Sequence, residues 1–180
     1  IQVYFIDNDE YFKRKATFTD EEGSMYPDND ERAIFFAKGV IETVKKLNWV
    51  PDIIHVHGWM ASVLPVYLKH FYKDEALFSD TKIVISVYGQ SFDGTLNNEM
   101  INKIAFDNIP LEAIKELETP TYENIIKSAI NNSDAVIVAS SSISSSLTNF
   151  IESSDKPFLP FAPKEQFANA YTEFYKKMLS

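Results

Sequence analysis

Cysteine is absent from this chain of 180 residues. Disulfides and thiolate metal sites are therefore excluded, and a reducing compartment, the cytoplasm, is the expected location. Glycine is scarce, with 5 residues, at 23, 39, 58, 89 and 94. None forms a Gly-x-Gly-x-x-Gly turn or a phosphate loop, so the glycine cradles of nucleotide domains are missing. Basic residues are outnumbered, 17 against 26 acidic, for a net charge of -9. Phosphate backbones and anionic membranes both call for clustered Lys and Arg, so neither nucleic acid nor a membrane is an expected partner. No apolar run approaches the roughly 20 residues of a membrane span, and no signal peptide is read. The chain opens inside a strand-like run, so first strands are expected upstream of Ile1.

What is present is enough for a core: 45% of residues are apolar and 14% aromatic,. The length fits one domain, or one domain with an appendage. Gln2 to Ile6 reads as a short strand, and Asp7 to Pro27 as a long polar loop carrying Tyr11, Phe12 and Phe18. Asp28-Asn29-Asp30-Glu31 is an acidic helix start, followed at helical spacing by Ala33, Phe36, Ala37, Val40, Ile41, Val44 and Leu47. Ile53 to Val56 is an apolar strand that ends in the turn His57-Gly58-Trp59 and runs into a helix from Met60 to Phe71. Thr81 to Val87 is a second strand, ending in the turn Tyr88 to Gly94. Residues 95 to 131 read as two or three short helices broken by Pro110 and Pro120. Asp134 to Ala139 is a third strand. The serine tract Ser140 to Ser146 reads as a helix cap ahead of Leu147 and Ile151. Phe158-Leu159 is a fourth, short strand. Pro163 is expected to open a final helix with Phe167, Ala170, Tyr171, Phe174, Tyr175 and Met178 on one face.

Alternating strands and helices predict an α/β domain, Rossmann-like, in three layers around a mostly parallel sheet. Ligands of such sheets sit at the carboxyl ends of the strands, which makes His57, Gly58 and Trp59 the first site candidates. His55 and His57 share a strand face. Two histidines make a poor metal site and no third ligand follows at helix or turn spacing, so no metal is expected. His57 either caps the strand end or faces a ligand. Trp59 reads first as core, with stacking on a sugar ring as the other use of its face. The block Gly23 to Arg32 is either a polar binding loop or, preferably on the residues alone, an acidic helix cap with Arg32 paired to a neighbouring carboxylate.

Val3-Tyr4-Phe5-Ile6-Asp7-Asn8, Tyr11-Phe12, Tyr26-Pro27-Asp28-Asn29 with Glu31-Arg32, and Phe35-Phe36 resemble the glycogen and starch synthases. So do Trp49, Pro51-Asp52-Ile53-Ile54-His55, His57 with Trp59, Pro65-Val66-Tyr67-Leu68-Lys69, and Phe78 with Asp80-Thr81-Lys82. Asn124, Lys127 and Ser133-Asp134-Ala135-Val136 carry the resemblance on more thinly. That family comprises retaining glucosyltransferases of the GT-B architecture, and the match covers its acceptor-side half. It implies a synthase-like domain over 1–162 and a closing helix over 163–180 packed on the same domain.

The departures are as informative as the match. The family reads His-Asp-Trp where this chain has His57-Gly58-Trp59, so a carboxylate beside the sugar is gone. Its next strand ends Val-His-Asn where this one ends Val87-Tyr88-Gly89. Retaining transfer passes through an oxocarbenium-like state that fixed negative or dipolar groups stabilise. Tyrosine donates a hydrogen bond but carries no charge near neutrality.

The resemblance therefore implies an acceptor-side domain without its donor domain, degenerate and inactive alone, that binds α-glucan, malto-oligosaccharide or a protein partner. Two alternatives stand beside it: a glucosyltransferase completed in trans, and an interaction scaffold unconnected with carbohydrate. ADP-glucose is implied as donor only in the active case, and no cofactor otherwise. The implied sugar-facing residues are His57, Tyr88, Asn124 and Lys127, with Gly58 and Trp59 beside them and Tyr26, Asp28 and Asn29 as loop candidates.

Overall fold

The computed structural model describes residues 2–180. Four apolar runs form one sheet: β1 (Ile53–His57), β2 (Lys82–Val87), β3 (Ala135–Val138) and β4 (Phe158–Leu159). Their spatial order is β1-β2-β3-β4, and every pair is parallel. The register sets Ile53 beside Lys82, His57 beside Ser86, and Val84 beside Ala135. Parallel strands covered on both faces are apolar along their whole length. Accordingly Ile83, Val84, Ile85 and Val87 of β2 are all buried.

The helices follow from spacing and end chemistry. A short α1 (Asp9–Phe12) lies inside the expected polar loop, capped by the Asn8 side chain on the Tyr11 N–H. The long α2 (Asn29–Lys46) has Asp30 and Glu31 in its first turn and Lys45 and Lys46 in its last, which complements the helix dipole,. Its buried face is Ala33, Ala37 and Ile41. From Trp59 to Phe71 the chain is helical but irregular. A 3-10 turn (Trp59–Ala61) passes into α3 (Leu64–Val66) and then a π turn (Tyr67–Phe71) closed by Tyr72 N–H on the Tyr67 carbonyl at 2.9 Å. Next come α4 (Met100–Ala105), a 3-10 stretch over Leu111–Glu118 kinked at Ile114, and α5 (Tyr122–Asn131). The α6 helix (Ser145–Glu152) begins where the Ser144 hydroxyl caps the Leu147 N–H, as the serine tract predicts. Last is α7 (Phe167–Leu179).

One sheet face packs on α2, the irregular helix, α4, α5 and α6 through two apolar clusters centred on Tyr67, Met100, Ile104, Ile126 and Ile130. The opposite face packs on α7, where Phe174, Tyr171, Tyr175 and Met178 meet Ile53, Val84, Ala135 and Ile137. This is the α/β Rossmann-like three-layer domain read from the sequence.

Three local expectations are corrected. Gln2 to Ile6 is not a strand, for the segment pairs with nothing described, and Val3 and Phe5 are 70% and 88% exposed. Its alternation has no partner strand among the described residues, and a segment without a partner is not sheet. Pro163 does not open the last helix. It begins a turn in which its carbonyl accepts from Gln166 and Phe167, and α7 starts at Phe167. Arg32 is not paired with a carboxylate. Its Nη1 donates to Asn29 Oδ1 at 2.5 Å and its Nε to the Tyr11 carbonyl at 2.8 Å. The neighbouring carboxylate, Asp28, is taken by both terminal nitrogens of Arg14, at 2.8 and 2.5 Å.

Candidate functional site

The carboxyl ends of β1 and β2 lie side by side because His57 is in register with Ser86. Two residues past that pairing, the Tyr88 hydroxyl reaches His57 Nδ1 at 2.7 Å. The two rings stand 6.2 Å apart, centroid to centroid. Below them, His55 shares the face of His57, with ring centroids 3.9 Å apart. Both nitrogens of His55 are engaged, Nε2 with Ser86 Oγ at 2.8 Å and Nδ1 with the Tyr175 hydroxyl at 2.5 Å. Burial, with the neighbouring His57 adding to it, pushes His55 down to about 4. Partial burial also lowers His57, and burial raises the Tyr88 hydroxyl. At neutral pH the rim is thus an uncharged array of donors and acceptors.

Gly58 turns the chain out of β1 at φ 75° and ψ 159°. That region is essentially open to glycine alone. No atom lies within 4 Å of where a Cβ would stand, so the constraint is the backbone and not the space. The carbonyl of Gly58 accepts from Ser62 Oγ at 3.0 Å, fixing the turn. Trp59 is half-buried between Phe18, 4.8 Å away, and Phe92, 5.1 Å away. It belongs to the edge of the core, as the first reading of it held.

A cleft of about 450 Å³ continues from Tyr88 between the starts of α5 and α6, lined among others by Phe92, Asp93, Tyr122, Glu123 and Ser144. Tyr122 donates to the Tyr88 carbonyl at 2.8 Å and so ties α5 to this strand end. Gly89 is needed here for close approach, because a Cβ on it would meet Ser142 Oγ at 2.6 Å and the Ser142 carbonyl at 2.7 Å.

The structure therefore gathers His57, Gly58 and Tyr88 at one strand-end rim, while the Trp59 ring turns to Phe18 and Phe92. Asn124 and Lys127 lie on α5, engaged locally. Asn124 Nδ2 donates to the Thr119 carbonyl at 2.8 Å, and Lys127 Nζ to Ser146 Oγ at 3.0 Å. Tyr26, Asp28 and Asn29 form a separate cluster that pins the loop. Tyr26 lies under Arg14 at 4.5 Å, Asp28 is bridged by Arg14, and Asn29 is buried with its amide on the Phe18 carbonyl at 2.9 Å. Ser86, Tyr175 and Tyr122 are partners that single-chain reading missed. Their only signals were a polar residue inside an apolar strand and hydroxyls on apolar helix faces. Among the described residues, no group of three or more His, Asp or Glu side chains is placed to hold a metal ion. No helix there is long and apolar enough to cross a membrane.

A parallel Rossmann-like sheet with polar strand ends at its carboxyl edge is the architecture of one half of a GT-B glycosyltransferase. The starch synthase catalytic domain model matches residues 1–153, and the chain belongs to that family. It is similar to the glycogen synthase of Chlorobium limicola, 44% identical over 105 residues, which is 58% of this chain and 22% of that protein. The glycogen synthase of Chlorobium luteolum is 35% identical over 141 residues, 78% of this chain and 28% of that protein. That of Elusimicrobium minutum is 37% identical over 109 residues, 61% of this chain and 22% of that protein. The chain spans about a quarter of the length of these curated relatives.

Proposed function

We propose that this glycogen synthase-like domain binds α-glucan at the rim formed by His57 and Tyr88, and that it transfers no glucose by itself. The carrying observation is the hydrogen bond between His57 Nδ1 and the Tyr88 hydroxyl at 2.7 Å. It turns the two strand ends into a neutral, prearranged donor and acceptor pair beside half-buried aromatic rings. Neutral hydrogen-bonding groups next to ring faces suit sugar hydroxyls and the apolar faces of glucose units. Stabilising an oxocarbenium-like state calls for fixed negative charge or oriented dipoles at the same place, of which a carboxylate is the strongest. Gly58 carries no side chain there, and Tyr88 stays protonated.

Native electrophoresis in gels cast with glycogen tests binding. Retardation relative to a glycogen-free gel is expected, and its loss in His57→Ala with the fold retained. Unchanged mobility removes the glucan reading. Incorporation of glucose from ADP-glucose into glycogen by the purified chain removes the second half of the proposal. Incorporation that appears only on adding a separate donor domain establishes completion in trans instead.

A further inference from the structure

The sheet face that α7 covers also carries the rim. Ile53 of β1 and Val84 of β2 pack on α7. Side chains alternate along a strand, so His55 and His57 share the face of Ile53, and Ser86 shares that of Val84. Ser86 is 1% exposed, a hydroxyl inside an apolar strand. Its Oγ meets His55 Nε2 at 2.8 Å, and His55 Nδ1 meets the Tyr175 hydroxyl of α7 at 2.5 Å. The His57 ring lies against that of His55, 3.9 Å between centroids, and its Nδ1 meets the Tyr88 hydroxyl at 2.7 Å. Ser86 also acts on the Tyr88 hydroxyl, lowering it against the burial that raises it. A line of polar groups thus runs from Tyr175 through His55, Ser86 and Tyr88 to His57.

The chemistry of these groups orders the protons along that line. Both imidazoles are uncharged at neutral pH, since burial lowers each of them. A neutral imidazole has one donor and one acceptor nitrogen, and the bond made by one fixes the role of the other. A phenol donates more strongly than an alcohol, and an alcohol accepts more strongly than a phenol. Tyr175 therefore donates to His55 Nδ1, and His55 Nε2–H donates to Ser86 Oγ. The Ser86 hydrogen is then turned away from His55, towards the Tyr88 oxygen. Tyr88 donates to His57 Nδ1, so His57 bears its proton on Nε2. Each bond polarises the next in the same sense.

We propose that Tyr175 is a positioning residue for the rim: acting through His55 and Ser86, it holds His57 in the tautomer that presents Nε2–H to a glucan hydroxyl. The role rests on the reading of the rim as the glucan site, and Tyr175 itself touches no ligand. Without its hydroxyl, His55 Nδ1 loses its donor. The Ser86 hydrogen is free to turn to His55 Nε2, and the order imposed on Tyr88 and His57 is lost. His57 then offers a mixture of donor and acceptor where one donor stood. A purely structural role for Tyr175 needs only its ring, which phenylalanine keeps against Val84, Ala135 and Ile137.

Long-range proton–nitrogen NMR of the full chain at neutral pH reads both nitrogens of each ring. In the unmodified chain His57 Nε2 is expected at the shift of a protonated nitrogen and Nδ1 at that of an acceptor. Tyr175→Phe is expected to bring the two shifts together, and Ser86→Ala to do so with α7 untouched. Tyr171→Phe is expected to leave them apart, for the Tyr171 ring stands 6.0 Å from that of His55 on the same helix but outside the line. In glycogen gels Tyr175→Phe is expected to bind about threefold to tenfold more weakly, the worth of one hydrogen bond. His57 protonated on Nδ1 in the unmodified chain overturns the proposal whatever the variants do. Shifts that stay apart in Tyr175→Phe overturn it, as does an equal change in Tyr171→Phe. Should Tyr175→Phe fail to fold, unchanged shifts in Ser86→Ala overturn it. Glycogen retardation that is equal in the unmodified chain and Tyr175→Phe overturns it as well. An unmodified chain that glycogen does not retard removes the glucan reading instead, and the nitrogen shifts alone then decide the link from Tyr175 to His57.

Discussion

Gly58 shows how much one backbone position can fix. The resemblance implies aspartate at this position, while the backbone here stands at φ 75°, a region that favours glycine,. Gly58→Asp is expected to lower stability by about 1–3 kcal/mol in urea titration, because the residue must leave that region or be strained in it. It is also expected not to restore glucose transfer. Tyr88→Phe deletes the hydroxyl on His57, for an expected loss of about 0.5–1.5 kcal/mol and reduced retardation by glycogen. His55 gives the pH dependence. Its folded pKa lies at about 4, below the ordinary 6.5, so the neutral ring is the stabilising form. Above pH 6.5 that stabilisation is fully present. Between 6.5 and about 4 the unfolded chain binds a proton that the fold refuses, and stability falls,. Each pKa unit is worth about 1.4 kcal/mol, and screening at a half-buried site leaves about 1–2 kcal/mol in all. Urea midpoints measured from pH 7.5 to 4 are expected to fall accordingly, and to fall less in His55→Gln. The shared face of His55 and His57 was legible from strand periodicity alone. The partnership of His57 with Tyr88 was not, because it depends on the register of two strands 31 residues apart in sequence.

At the scale of elements, legibility followed the apolar runs. β1, β2, β3 and α2 were readable because buried parallel strands and an amphipathic helix leave distinct spacings. Gln2 to Ile6 carries the same alternation, but pairing is a property of the neighbour and not of the segment. Asp7 to Pro27 concealed α1 and the Arg14–Asp28 bridge, since ion pairs across 14 residues leave no periodicity. α7 was visible as an aromatic stripe, while its docking through Tyr175 on His55 spans 120 residues and was not. Phe174→Ala is expected to cost about 3 kcal/mol and to raise amide exchange in residues 167–179 before the sheet itself opens. Gly89→Ala tests the loop after β3. Its Cβ would press on Ser142, so a loss of about 1–3 kcal/mol in thermal unfolding is expected,.

For the whole molecule, the acidic balance sets solution behaviour. The net charge of -9 keeps copies apart at neutral pH, and a pI of about 4.8 removes that repulsion in mild acid,. Protonation of the unfolded His55 weakens the fold over the same interval. Light scattering is expected to peak near pH 4.8 and to fall again on either side. The strand order β1-β2-β3-β4 runs in chain order. A polypeptide leaving the ribosome can therefore lay down its sheet one strand at a time. Among the described strands, each new one finds its neighbour already in place.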